Sequence, residues 1–158
     1  MSLTTQLLAN DLAPIGQALE DLLTCCREAF FAVAYGTHRA YTHLDKNRAV
    51  RDFLNRASRL RTIFDVDRYF TDPALIDELC TVPGDVECRL YGPRIRAGVP
   101  LTQTHAFHPK VYYFQDRERA AAVIGSSNLS LGGLRNNREV GILLKGPLEH
   151  GVFRDLRA

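Results

Sequence analysis

Between Phe107 and Glu139 the chain carries His108-x-Lys110, the turn Gly125-Ser126-Ser127-Asn128 and a carboxylate, Glu139. Cleaving a phosphodiester without a metal requires a nucleophile, a proton donor for the leaving oxygen and positive charge around the phosphoryl oxygens. An imidazole, an ammonium, a side-chain amide and a carboxylate are parts from which such a site can be built. The question is whether the surrounding elements bring them together.

The run Phe107 to Phe114 reads as a strand, whose alternation puts His108, Lys110 and Tyr112 on one face. Tyr112 is therefore both a candidate substrate contact and a candidate core tyrosine. Pro109 lacks an amide hydrogen, so this strand is expected to be irregular or unpaired there. A second apolar run, Ala121 to Ile124, ends at Gly125, where a glycine permits a sharp turn and polar side chains gather at a strand end. Glu139 opens a third run, Val140 to Leu144. Asn137 stands two residues before that glutamate, and His105 lies on the approach to the first strand as a candidate for the pocket mouth.

The elements upstream alternate. Ile15, Leu19, Leu22 and Leu23 recur at helical spacing behind Pro14. Phe30 to Tyr35 reads as a buried strand closed by Gly36, and Ala49, Val50, Phe53, Leu54 and Ala57 form a helical stripe. Thr62 to Val66 reads as a strand, Thr71-Asp72-Pro73 caps a short helix through Leu79, and Val86 to Tyr91 reads as a further strand before a loop over Gly92 to Pro100. This order predicts an α/β fold with a mixed β-sheet flanked by helices on both faces.

A chain of 158 residues fits one domain burying roughly 70% of its unfolded surface. The four cysteines, Cys25, Cys26, Cys80 and Cys88, show no paired C-x-x-C spacing and read as free thiols in a reducing compartment. No apolar stretch approaches a membrane span, and the first residues lack a basic region followed by an apolar core, so the cytoplasm is expected. A net charge of +2 says little about partners, since phosphate recognition depends on local charge. Arg89, Arg94, Arg96, Arg117, Arg119, Arg135 and Arg138 flank the motif strands, as a phosphate-facing rim or an ordinary solvated surface. The aromatic residues show no interleaved pattern that by itself names single-stranded nucleic acid. Phe153 and Leu156 begin what reads as an unfinished amphipathic helix, so residues 1–158 are expected to form a single catalytic domain that is the N-terminal piece of something longer.

His108-x-Lys110, Gly125-Ser126-x-Asn128 and Glu139, eleven residues after that asparagine, resemble the signature of the phospholipase D superfamily. The resemblance implies one half of a phospholipase D-type fold. Many members carry an aspartate five residues after the lysine; Gln115 occupies that place here, with Asp116 next. This departure weakens assignment to the lipase branch more than to the superfamily. The closer resemblance is to its nuclease and restriction-endonuclease-like branch.

In this reading His108 attacks phosphorus, Glu139 fixes its tautomer and ring orientation, Lys110 places a point charge on the nonbridging oxygens and Asn128 donates to the same oxygens. Ser126 is a partner for either the phosphate or the imidazole, with Asn137 in support. The scheme needs no metal or other cofactor but lacks a second, protonated histidine, since His38, His43, His105 and His150 begin no other His-x-Lys. Superfamily sites combine two motif copies, which implies a homodimer whose two His108 side chains face each other. The expected function is that of a DNA endonuclease working through a phosphohistidine, with any target-recognition or helicase domain outside this chain. The rivals are a phospholipid phosphodiesterase or transphosphatidylase, for which Leu129 to Leu134 is the short candidate interfacial loop, and a non-catalytic phosphate-binding dimerisation module.

Overall fold

The computed structural model describes residues 2–46, 48–66, 70–92, 95–96, 99–100 and 106–157, without the side chains of 95, 96, 99 and 100. The elements run β1 (Thr4–Ala9), α1 (Ile15–Cys25), β2 (Glu28–Val33), α2 (His38–Leu44), α3 (Ala49–Asn55), β3 (Arg59–Asp65), α4 (Pro73–Thr81), β4 (Asp85–Tyr91), the two-residue strands β5 (Ile95–Arg96) and β6 (Val99–Pro100), β7 (Lys110–Gln115), β8 (Arg119–Gly125), a π-helical turn (Gly132–Asn136), β9 (Val140–Pro147) and α5 (Gly151–Arg157). Seven strands form one sheet in the order β1-β9-β8-β7-β2-β3-β4. Strands β2, β3 and β4 are parallel, and every other neighbouring pair is antiparallel. This is the expected mixed sheet.

Helices lie on both faces, unequally. The pleat sends Leu8, Phe31, Leu60, Phe64, Tyr112, Phe114, Val123 and Leu143 to one face, where they bury against Leu19 and Leu23 of α1, Leu44 of α2, Phe53 of α3 and Leu75 of α4. On the other face Tyr113, Ala120 and Ala122 meet Phe153 of α5. Phe153 is fully buried, so the seven-residue α5 is held by packing rather than by length.

The motif run divides otherwise than its alternation suggests. Pairing begins at Lys110, and His108 and Pro109 precede the strand. Proline cannot donate to the ladder, but its carbonyl accepts the Ala34 amide at 2.9 Å. The chain before β7 is thereby held beside β2 while His108 stays exposed.

The short strands β5 and β6 fall where a loop was expected, and three further elements lie outside the sequence expectation. β1 is a polar edge strand, α2 is a short helix capped by the Thr37 hydroxyl, which accepts from Ala40 N at 3.3 Å, and the π-helical turn follows the Gly-Ser-Ser-Asn segment. Asp72 caps α4 as its sequence suggested, accepting from Ala74 N at 3.0 Å with Pro73 at the first helical position.

Candidate active site

The C-terminal ends of β2, β3, β4 and β8 and the N-terminal starts of β7 and β9 meet at one end of the sheet. That end gathers His108, Lys110, Ser126, Asn128, Asn137 and Glu139. The Lys110 ammonium lies 2.8 Å from His108 Nδ1, 3.1 Å from Nε2 and 3.1 Å from the His108 carbonyl oxygen. Burial holds Lys110 below the ordinary lysine pKa, and the Glu139 charge offsets part of that shift.

The turn after β8 is built by close strand approach. A Cβ on Gly125 would run into the Val140 carbonyl and lie 2.6 Å from Gly141 Cα, so only glycine lets β8 and β9 come together there. The Ser126 amide donates to Val140 O at 3.0 Å, the Val140 amide donates to Ser126 Oγ at 3.2 Å, and that hydroxyl donates to Glu139 Oε2. Asn137 Nδ2 donates to Glu139 Oε1 at 3.3 Å. Glu139 is thus held by Ser126 and Asn137; among the described residues it makes no hydrogen bond to His108. The expected carboxylate–imidazole contact is absent from this arrangement, in which the ring leans on Lys110.

Asn128 is nearly buried, and its Oδ1 accepts the Tyr35 amide at 3.3 Å. That contact makes the NH2 the group with which Asn128 would donate to an oxyanion. Ser127 turns inward, and its carbonyl accepts the Tyr112 hydroxyl at 3.0 Å. Tyr112 is 1% exposed, with its ring 5.2 Å from Phe31. It therefore does not contact substrate, correcting the expectation drawn from its shared face with Lys110; it anchors the turn from beneath. Burial also pushes its hydroxyl pKa up.

Two positioning residues were missed by the motif reading. Asn10 Nδ2 donates to the carbonyls of Gly133 and Asn137, both at 3.0 Å, and its Oδ1 accepts the Ile15 amide at 3.1 Å. Asp65 Oδ2 accepts the Phe107 amide at 3.3 Å, fixing the backbone just before His108. Each lies far from the motif in sequence, and an isolated Asn or Asp beside a strand end carries no distinguishing signal.

The arginine rim is only partly realised. Arg117 in the β7–β8 turn and Arg119 at the start of β8 lie a full strand of about 20 Å from the site, and Arg89 pairs with Glu87 at 2.6 Å. Arg135 and Arg138 stay near the site, in and after the π-helical turn. His105, Arg94 and the side chain of Arg96 lie outside the described residues. Leu129 and Leu134 are 1% and 0% exposed, so two of the three leucines of the candidate interfacial loop are core. A cavity of about 560 Å³, lined by residues including Leu22, Cys25, Phe114 and Lys145, opens at the opposite end of the sheet and takes no part in this chemistry.

A family model described as cardiolipin synthase, PLD-like domain, matches residues 42–155. The chain belongs to the phospholipase D superfamily. Among solved structures, NucT from Helicobacter pylori is 20% identical with a TM-score of 0.69, the match covering 99% of this chain and 92% of that one. Nuc from Salmonella typhimurium, described as a phospholipase D family member, is 13% identical with a TM-score of 0.57 over 90% and 83%. Phosphatidylserine synthase from Haemophilus influenzae Rd KW20 is 15% identical with a TM-score of 0.54, covering 99% of this chain but 38% of that one. No curated protein sequence matches the chain. The fold is therefore the phosphodiesterase-type fold of that superfamily. Among the described residues no helix is long and apolar enough to cross a membrane.

Proposed function

We propose that this chain is a metal-independent DNA endonuclease whose nucleophile is His108 and whose site is completed by a second copy of itself. The observation that carries the reading is the convergence of His108, Lys110, Asn128 and Glu139 at one exposed sheet end, with a cation already against the imidazole. When a phosphodiester enters, Lys110 and the Asn128 amide turn to its nonbridging oxygens. The released ring is then steered by Glu139, itself held by Ser126 and Asn137.

A ring nitrogen of His108 then forms a bond to phosphorus, while the bond to the leaving oxygen breaks and that oxygen takes a proton from the partner's His108. Water next attacks the phosphohistidine, gives its proton to the partner's His108 and frees the ring. No other described histidine suits the proton-donor role. His38 faces Glu78 at 3.9 Å, His43 is held below the ordinary histidine pKa by burial and then by the Arg135 and Lys46 charges, and His150 lies at the far end of the sheet, before α5.

Two observations support a twofold assembly. The matches to NucT and Nuc span 92% and 83% of those chains, whereas the match to phosphatidylserine synthase covers 38% of that chain, so a one-copy protein is a recurring size for this fold. On the sheet face where α5 is the one helix among the described residues, Leu7, Ile142, Ile124, Val111, Ala32 and Ile63 form one register row. Leu7 and Ile142 of that row are 64% and 47% exposed, and Val140, beside Glu139, is 56% exposed. A self-complementary apolar patch next to a half-site is what an isologous interface requires.

Phospholipid cleavage would use the same chemistry, and buried Leu129 and Leu134 count against it by taking two of the three leucines out of the expected interfacial loop. The deciding experiment is cleavage of plasmid and single-stranded DNA in excess EDTA by the wild type and by His108→Ala. Cleavage by the wild type alone supports the proposal. Failure on DNA with activity on phosphatidylcholine would replace it with the lipid reading.

A further inference from the structure

Four aromatic side chains that no motif connects are brought to the same end of the sheet. Tyr35 follows β2 and meets Phe70 with ring centroids 5.9 Å apart and planes tilted by 49°. Tyr91 ends β4 and stacks on Phe107 at 5.1 Å and 27°. Phe70 is 62% exposed, and the other three are half-buried, so neither pair is sealed in the core.

One residue ties both pairs to the site. Asp65 is the register partner of Tyr91, its Oδ2 accepts the amide of Phe107, and its carbonyl accepts the Thr71 hydroxyl at 2.6 Å, fixing the residue after Phe70. Phe107 is joined directly to His108, and the Tyr35 amide is bonded to Asn128 Oδ1. The two ring pairs therefore sit beside the nucleophile and the phosphate-directed amide, on the β2–β4 half of the sheet. The exposed apolar residues Leu7, Val140 and Ile142 of the proposed dimer surface lie on the β1–β9 half, whereas the rings follow β2 and β4.

We propose that Phe70 with Tyr35, and Tyr91 with Phe107, form a stacking platform for the unpaired bases that flank the scissile phosphate, making single-stranded nucleic acid the favoured substrate of this site. The inference rests on the nuclease reading above and adds which form of the polymer is taken. An unpaired base offers an open π-face to a ring, whereas in a duplex both faces are already stacked on neighbours. Each pair combines one phenylalanine with one tyrosine, presenting flat rings with a polar edge rather than the aliphatic trough that an acyl chain would fill.

The test compares a fluorescent single-stranded oligonucleotide with an abasic oligonucleotide of equal length and charge, measuring binding by anisotropy and cleavage in EDTA. The wild type should bind the base-bearing strand about 10-fold tighter or more, Phe70→Ala should bring that ratio toward one, and Phe70→Trp should restore it. Equal wild-type binding of the two strands, or a Phe70→Ala loss that falls equally on both, overturns the platform. So does a Phe70→Ala defect confined to phosphatidylcholine vesicles, which would assign the ring to a lipid surface. Discrimination in binding without cleavage upholds the platform and sinks the nuclease reading; cleavage without discrimination does the reverse.

Discussion

The Lys110 ammonium stands 2.8 Å from Nδ1 and 3.1 Å from Nε2 of His108, so one cation covers both nitrogens of the proposed nucleophile. In this arrangement the ring is capped, and a phosphate that draws the ammonium to its own oxygens frees it. Lys110→Met should therefore have two opposite effects. Phosphodiester cleavage falls by about 10²- to 10³-fold through the lost charge, while carbethoxylation of His108 by diethyl pyrocarbonate becomes faster. A slower modification in Lys110→Met would contradict the capping.

The same lysine sets an alkaline limit. Burial lowers its pKa from the ordinary lysine value, the Glu139 charge opposes that in part, and the protonated form is the one that holds phosphate. Activity is then full below the shifted pKa and lost as pH rises through it. The descending limb of log kcat/KM should lie below about pH 10.4. Glu139→Gln removes the opposing charge and should move that limb lower still, which a pH profile in EDTA would read directly.

The central strands and the capped α4 were legible, though not the strands' first residues, because apolar runs, Gly125 and Asp72-Pro73 carry local signals. β1 was not, since Thr4, Thr5 and Gln6 are exposed on an edge strand that exists only by pairing with β9. The motif residues were legible by type and spacing, but their contacts were not. Strand alternation put Tyr112 beside the substrate, whereas packing against Phe31 buries it, and Pro109 keeps His108 outside the ladder. The aromatic pairs were invisible because Tyr35, Phe70, Tyr91 and Phe107 are far apart in sequence and meet only at the ends of neighbouring strands.

Gly125 offers a test of how closely the site depends on the β8–β9 approach. In Gly125→Ala the new methyl meets Val140 O and Gly141 Cα, so the strands must separate where Ser126 and Glu139 share a hydrogen bond. Overpacking of this kind costs about 1–3 kcal/mol. Denaturant unfolding should show that modest loss, while cleavage falls by an order of magnitude or more. Equal activity in the folded variant would show that the turn geometry is not limiting.

The cysteines differ sharply in environment. Cys26 is buried, which pushes its thiol pKa up to about 12, whereas Cys25 and Cys80 are exposed. Iodoacetamide at pH 8 should label Cys25 and Cys80 in the native protein and leave Cys26 unlabelled until urea unfolds the chain, as mass spectrometry of tryptic peptides would report.

The composite site makes a quantitative demand on mixtures. If each turnover needs His108 from both copies, a dimer with one His108→Ala chain is inactive. After refolding equal amounts of wild type and His108→Ala together, only about a quarter of the dimers carry both histidines, so activity per wild-type chain should fall to about half. A chain that works alone would show no such fall. Ile142→Glu, placed in the exposed apolar row, should shift sedimentation from dimer to monomer and abolish cleavage together, since a charge there opposes burial of that row. Loss of the dimer with cleavage retained would mean that the second proton donor comes from within the same chain.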